Sequence, residues 1–233
     1  MKTTDAIPCL VPARGGSKRF PRKNIALLRG RPLLAWAIDA ARTSSVFGDV
    51  WVSTEDAEIA QVAVRSGAKV HERPPALAAD DATIVQVALD FADWLAARGE
   101  GATHLGIVLP TAALLRGADI RGAWARLRER DADFAMAVTS YLESPFQALE
   151  EADGYLRLFF GPAYARRTQL LPSVVVDSGY FYLVRIDALR AERTLYGARL
   201  VGQPIPRQRS IDIDEPAHLV IADALLAAAE ARA

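Results

Sequence analysis

Short apolar runs of strand length alternate along this chain with segments of helical period, and this alternation restricts the fold more than any other feature. Strands joined in this way by helices lie parallel in one sheet, with helices on both faces. A first strand is expected at 7–11, then a Gly-rich basic loop at 13–24 and a helix from about Pro32, a good first-turn residue, to Arg42. Val50-Trp51-Val52-Ser53 reads as a second strand leading through Thr54-Glu55-Asp56 into a helix at 57–66, with Thr54 as its start and Gly67 as its stop. A short strand at 69–71 precedes Glu72-Arg73-Pro74-Pro75, which cannot be helical, and 83–98 carries apolar residues on one helical face. Strands follow at 104–109, 134–138 and 179–184, with a basic amphipathic helix at 117–130 and a terminal helix rich in Ala and Leu.

One stretch breaks the alternation. Residues 141–176 carry Pro145, Gly154, Gly161, Pro162 and Pro172 with aromatics between them, the pattern of an irregular or β-hairpin arm inserted into a single domain spanning 1–233. With 51% hydrophobic residues over 233 positions, the chain can bury a proper core and is not a disordered sequence. Lys and Arg number 28, as do Asp and Glu, so no long-range field would hold the chain on nucleic acid or an anionic membrane. Any anion must be captured by a local cluster. The first apolar run is short and broken by Pro8 and Pro12, unlike a secretory or membrane-spanning segment, and a cytoplasmic location is expected. Cys9, the single cysteine, reads as a small buried hydrophobe, and His71, His104 and His218 show no metal-ligand spacing and read as structural or surface residues.

The strongest local signal is Ala13-Arg14-Gly15-Gly16-Ser17-Lys18-Arg19-Phe20-Pro21-Arg22-Lys23-Asn24, at the carboxyl end of the first strand, where α/β sheets bind ligands. Its glycines can turn backbone N–H groups toward a phosphate while Arg14, Lys18 and Lys23 neutralise the charge. It lacks both the Gly-Lys-Ser/Thr ending of a Walker loop and the G-x-G-x-x-G of a dinucleotide fold, which disfavours an ATPase and a dehydrogenase. The plainer alternative is a solvated basic loop. Near the C-terminus, Asp212-Ile213-Asp214 alternates as a strand does, placing two carboxylates on one face. Such a pair beside a phosphate suits Mg²⁺; alternatively Asp214 merely caps the helix that follows. Arg166-Arg167 in the arm offers guanidinium groups for a substrate carboxylate, or else marks an exposed hairpin tip.

The basic loop resembles the signature loop of the acylneuraminate cytidylyltransferases, which activate nine-carbon acidic sugars. Further blocks agree in order: Val52-Ser53-Thr54-Glu55-Asp56, Arg73-Pro74 with Leu77-Ala78 and Asp80, Arg166-Arg167-Thr168-Gln169, and Asp212-Ile213-Asp214. Within the family, Pro145-Phe146-Gln147-Ala148-Leu149 and Val176-Asp177-Ser178-Gly179-Tyr180-Phe181-Tyr182 are most similar to the pseudaminic acid branch. Leu109-Pro110-Thr111-Ala112-Ala113-Leu114 stands where a Gln-Pro-Thr-Ser-Pro-Leu pattern is usual. The resemblance implies a Rossmann-like nucleotidyltransferase fold and transfer of CMP from CTP to the anomeric hydroxyl of a nonulosonic acid, with release of pyrophosphate. It implies nucleotide contacts at Ala13, Arg14, Gly15, Gly16, Ser17, Lys18, Lys23, Asn24, Arg73 and Thr83, with Arg14 and Lys23 catalytic and Asp212 and Asp214 holding Mg²⁺. It further implies sugar contacts at Thr111, Arg166, Arg167, Gln169 and Asp177, and a homodimer in which the arm completes the partner's sugar site. Three alternatives stay open: the same reaction on N-acetylneuraminate, legionaminate or a ketodeoxyoctonate; a sugar 1-phosphate nucleotidyltransferase; and a catalytically inactive nucleotide-binding regulatory protein.

Overall fold

Chain alternation becomes a seven-stranded sheet in a computed structural model that describes residues 6–230; residues 1–5 and 231–233, which the domain assignment includes, lie outside the described residues. In chain order the main elements are β1 (Ile7–Pro12), β2 (Leu27–Leu28), β3 (Arg31–Pro32), α1 (Leu33–Thr43), β4 (Phe47–Thr54), α2 (Ala57–Arg65), β5 (Lys69–Glu72), α3 (Ile84–Ala97), β6 (His104–Val108), α4 (Gly117–Glu129) and β7 (Phe134–Ser140). They continue with β8 (Leu149–Ala152), β9 (Tyr155–Leu158), β10 (Val175–Arg185), α5 (Ile186–Glu192), β11 (Leu200–Pro204) and α6 (Pro216–Glu230). The large sheet has the order β11-β7-β10-β6-β1-β4-β5. Only β10 runs antiparallel to its neighbours, β6 and β7.

Both faces of the sheet are apolar, so each strand alternates between two cores. Cys9, Val11, Val50 and Val52 face one cluster with Ile38 of α1, Ile59 of α2 and Ile120 of α4. Leu10 and Trp51 face the other, with Phe91 of α3 and Leu189 of α5. Cys9 is fully buried and desolvation raises its thiol pKa, leaving it an inert packing residue.

The arm contains a hairpin, β8 and β9, joined by Asp153 and Gly154 with φ of 54° and 79°, the two left-handed residues that a two-residue hairpin turn requires. It ends sooner than expected, because Val175 and Val176 already pair with Ser140 and Thr139. With no crossover helix between β7 and β10, the chain returns beside β7 in the opposite direction. Two elements between 185 and 210, α5 and β11, were not anticipated. Helix α2 begins at Ala57 as read, but its cap is Asp56 rather than Thr54, the Asp56 carboxylate accepting the N–H groups of Glu58 and Ile59.

Candidate active site

A crevice opens where the strand order reverses. From β1 the chain steps outward to β4 and β5, then returns to the other side of β1 for β6, and the loops after β1 and β6 therefore diverge. Ligands of open α/β sheets bind at such a point. The cleft there holds about 260 Å³ and is walled by Pro12, Arg14, Ser17, Lys23 and Asn24 after β1, Pro110 and Thr111 after β6, Arg73 after β5, and Asp212 and Asp214. Eight of the sequence-predicted residues thus share one site.

The basic loop is held from beneath. Asn24, 5% exposed, donates from Nδ2 to the carbonyl of Arg14 at 2.8 Å. Ala13 is buried, and its N–H donates to the Ser53 carbonyl at 3.0 Å, which continues the register of β1 on β4. Arg73 is buried with its charge, and Nη2 donates to the Ser53 carbonyl at 2.8 Å. His71 supports it from behind through the Ser53 hydroxyl at 3.1 Å, and burial lowers the imidazole pKa, keeping a second cation from forming beside Arg73.

Every cation of the loop meets a carboxylate. Arg14 donates to Asp80 at 2.9 Å, and Lys18 pairs with the other oxygen of Asp80. Those hydrogen bonds, Lys18 first, hold the exposed Asp80 carboxyl below its usual range. Lys23 and Arg19 each donate to Asp214 at 2.8 Å, one to each oxygen, and Arg22 pairs with Asp56 and Glu58. The Gly15 N–H donates to Glu55 at 2.7 Å. A Cβ on Gly15 would lie 2.7 Å from Asp56 Oδ2, so a side chain there would push that carboxylate aside.

Asp212-Ile213-Asp214 is not a strand, contrary to expectation, because no neighbouring strand pairs with it. The alternation survives, since Ile213 is fully buried against Leu28, Leu33 and Ala222 while both carboxylates line the cleft. The Lys23 hydrogen bond holds Asp214 below the ordinary carboxylate range, with Arg19 assisting. Desolvation by the cleft wall, and next the charge of Asp214, raise Asp212, although the residue as a whole stays open to solvent. One unneutralised and one neutralised carboxylate therefore stand side by side.

The remaining expected residues are not part of the cleft lining, although Thr83 sits between Ala82 and Ile84, which are. Gly16 and Lys18 belong to the loop but are not in the cleft wall. Thr83 caps α3, its hydroxyl accepting from the Gln86 N–H. Asp177 accepts from the hydroxyls of Tyr182 at 2.7 Å and Tyr196 at 2.9 Å and from the Gly179 N–H at 2.8 Å. Arg166, Arg167 and Gln169 are exposed on the arm. Sequence reasoning gave no role to Glu55; His218, read as a structural or surface residue, is structural, its Nδ1 accepting the Asp214 N–H at 3.1 Å.

Residues 8–158 match the model of a family described as cytidylyltransferase. The chain belongs to that cytidylyltransferase family. The pseudaminic acid cytidylyltransferase of Campylobacter jejuni is 32% identical over 210 residues, which is 88% of this chain and 90% of that protein. The N-acylneuraminate cytidylyltransferase of Streptococcus agalactiae is 26% identical over 211 residues, 88% of this chain and 50% of that protein. In fold, the cytidylyltransferase is similar to CMP:2-keto-3-deoxy-manno-octonic acid synthetase complexed with CTP, with a TM-score of 0.71 at 17% identity over 97% of this chain and 100% of that one. The Rossmann-like nucleotidyltransferase fold expected from the sequence is therefore present.

Proposed function

We propose that this cytidylyltransferase joins CMP to a nonulosonic acid, pseudaminic acid or a close analogue. The anomeric hydroxyl of the sugar attacks the α-phosphorus of CTP, the P–O bond to the β-phosphate breaks, the hydroxyl proton is released, and pyrophosphate leaves. One observation carries this reading: a single crevice brings the loop cations Arg14 and Lys23 together with Arg73 and the carboxylate pair Asp212 and Asp214. Similarity over 88% of the chain to a pseudaminic acid cytidylyltransferase supports the choice of sugar.

Displacement at phosphorus needs positioning and charge neutralisation rather than a covalent nucleophile. In this reading, Arg14, Ser17 and Lys18 take the outer phosphates, exchanging the Asp80 carboxylate for phosphate oxygens. Lys23 turns from Asp214 toward the α-phosphate and the departing pyrophosphate. Asn24 keeps the loop backbone in place, and Arg73 and the α3 end near Thr83 face the nucleoside. Thr111 borders the acceptor side, while Arg166, Arg167 and Gln169 reach the sugar site of a partner subunit and Asp177 supports that region.

The residues present fit Mg²⁺. Among the described residues no cluster of three or more acidic, histidine or cysteine side chains could hold a metal, but the carboxylate pair alone offers the hard oxygen donors that Mg²⁺ takes beside substrate phosphates. Desolvation first, and the neighbouring charge of Asp214 second, disfavour a bare carboxylate at Asp212, and a divalent ion between the two carboxylates would supply the missing counter-charge. When bound, the ion would neutralise the triphosphate and ease departure of pyrophosphate. Among the described residues no helix is long and apolar enough to cross a membrane.

The test is pyrophosphate release from CTP with a panel of pseudaminic acid, legionaminic acid, N-acetylneuraminic acid and ketodeoxyoctonate. Pseudaminic acid should give the highest kcat/KM. Preference for another member would move the assignment to that sugar, and release with none of them, in folded enzyme supplied with Mg²⁺, would overturn it.

A further inference from the structure

The carboxylate pair has no strand to hold it, yet its approach is fixed from three sides. Arg209, two residues before Ile211, forms a bidentate ion pair with Asp119 of α4, Nη1 to Oδ2 at 2.7 Å and Nη2 to Oδ1 at 2.9 Å, with both side chains largely buried. The fully buried Tyr180 of β10 donates its hydroxyl to the Arg209 carbonyl at 2.6 Å and accepts the Ile211 N–H at 3.1 Å. One hydroxyl thus brackets Ser210 and fixes the backbone immediately before Asp212. A break in the β10 register between Asp177 and Tyr182, with Gly179 at φ 67°, shapes the strand here, and a Cβ on Gly179 would approach Asp212 Oδ2 to 3.4 Å. Beyond the pair, Ile213 is buried and His218 accepts the Asp214 N–H.

We propose that Tyr180 and Arg209 are positioning residues for the cation site, clamping residues 209–211 so that Asp212 and Asp214 present their oxygens to one ion. The inference rests on the reading of that pair as the metal ligands. Groups that orient metal ligands without touching the metal typically change affinity or activity by roughly 10–100-fold when removed. Tyr180 and Arg209 act through backbone, so the effect belongs in ion binding rather than in recognition of the cytosine.

Mn²⁺ binding by water-proton relaxation, measured without nucleotide because CTP itself chelates the ion, tests this in Tyr180→Phe, Arg209→Lys, Asp212→Asn and Leu189→Ala. Tyr180→Phe keeps the ring, and Arg209→Lys keeps the charge but loses the fork. Both should weaken Mn²⁺ roughly tenfold or more and raise the Mg²⁺ concentration for half-maximal turnover, while KM for CTP at saturating Mg²⁺ changes little. Asp212→Asn should bind no Mn²⁺. Leu189→Ala, a cavity in the core on the far face of the sheet, should lower the melting temperature without changing Mn²⁺ affinity. If Tyr180→Phe and Arg209→Lys bind Mn²⁺ as the parent does while Asp212→Asn fails, the positioning role is overturned and the metal reading stands. Unchanged binding in Asp212→Asn would overturn both. Should Tyr180→Phe not fold, Arg209→Lys decides, and equal weakening in Leu189→Ala would reduce the effect to general destabilisation and overturn the proposal.

Discussion

At the scale of single residues, Lys23 holds the pivotal position, because it is the cation that touches the carboxylate pair and also lines the cleft. Its side chain is about one-fifth exposed and its ammonium donates to Asp214 at 2.8 Å, so a phosphate arriving in the crevice can draw it away without dragging it out of bulk water first. A contact that strengthens as charge develops is worth about 2.7–4 kcal/mol in comparable sites. Lys23→Ala should therefore lower kcat by roughly a hundredfold or more while the protein stays folded. Steady-state kinetics at saturating Mg²⁺ check this, and an unchanged kcat with only a raised KM for CTP would reduce Lys23 to a binding residue. Lys23 and Asp214 were each legible in the sequence, one from the glycine-rich basic loop and the other from the Asp-x-Asp pattern. Their pairing was not, for 191 positions separate them and only the folded sheet brings the two ends together. The same applies to Asp80, whose hold on Arg14 and Lys18 no local pattern announces.

Among elements, the loop after β1 and helix α2 form one mechanical unit. Asp56 accepts the N–H groups of Glu58 and Ile59, each at 2.9 Å, and also accepts from Arg22 at 2.7 Å, so the helix cap and the far end of the loop share a carboxylate. Gly15 packs so closely on Asp56 that a methyl group must displace it. Gly15→Ala should lower unfolding free energy by about 0.5–2 kcal/mol, the usual range for a lost cap, and should weaken CTP binding at the same time. Urea unfolding and calorimetric CTP titration measure the two, and a variant unchanged in both would uncouple the loop from α2. Helices α1 to α4 and strands β1 and β4 to β7 were readable because their apolar periods are long and their boundaries carry Pro, Gly or a cap. The seven-residue α5 and the edge strand β11, whose Leu-Val-Gly-Gln-Pro lacks an alternating pattern, fall below what periodicity resolves. The direction of β10 was hidden too, since it depends on the arm containing no crossover helix.

For the molecule as a whole, the neutral charge balance makes local clusters decide everything, and the arm is the cluster with no place in the sheet. Leu142, Leu149, Tyr155, Leu156, Phe159 and Leu170 are each more than half exposed there, while Phe146 and Tyr164 stack at 5.0 Å in a small aromatic knot. A monomer in water rarely leaves so many large apolar side chains of one segment exposed. The irregularity of this arm was legible from its Pro, Gly and aromatic content; its consequence at the scale of an assembly depends on a second copy. If two copies bury these faces together, Arg166, Arg167 and Gln169 are carried to the partner's crevice, where a guanidinium is the natural partner of the sugar carboxylate. The protein should then sediment as a dimer, and Arg167→Ala should raise KM for the acidic sugar. A hydrogen bond to a charged group is worth about 1.5–3 kcal/mol, which corresponds to roughly ten- to hundredfold. KM for CTP should be nearly untouched, because in the proposed reading the loop after β1 takes the nucleotide within one chain. Sedimentation velocity at micromolar protein and kinetics with each substrate varied in turn measure both consequences. A fully active monomer, or an Arg167→Ala defect confined to CTP, would place the sugar site in another part of the chain.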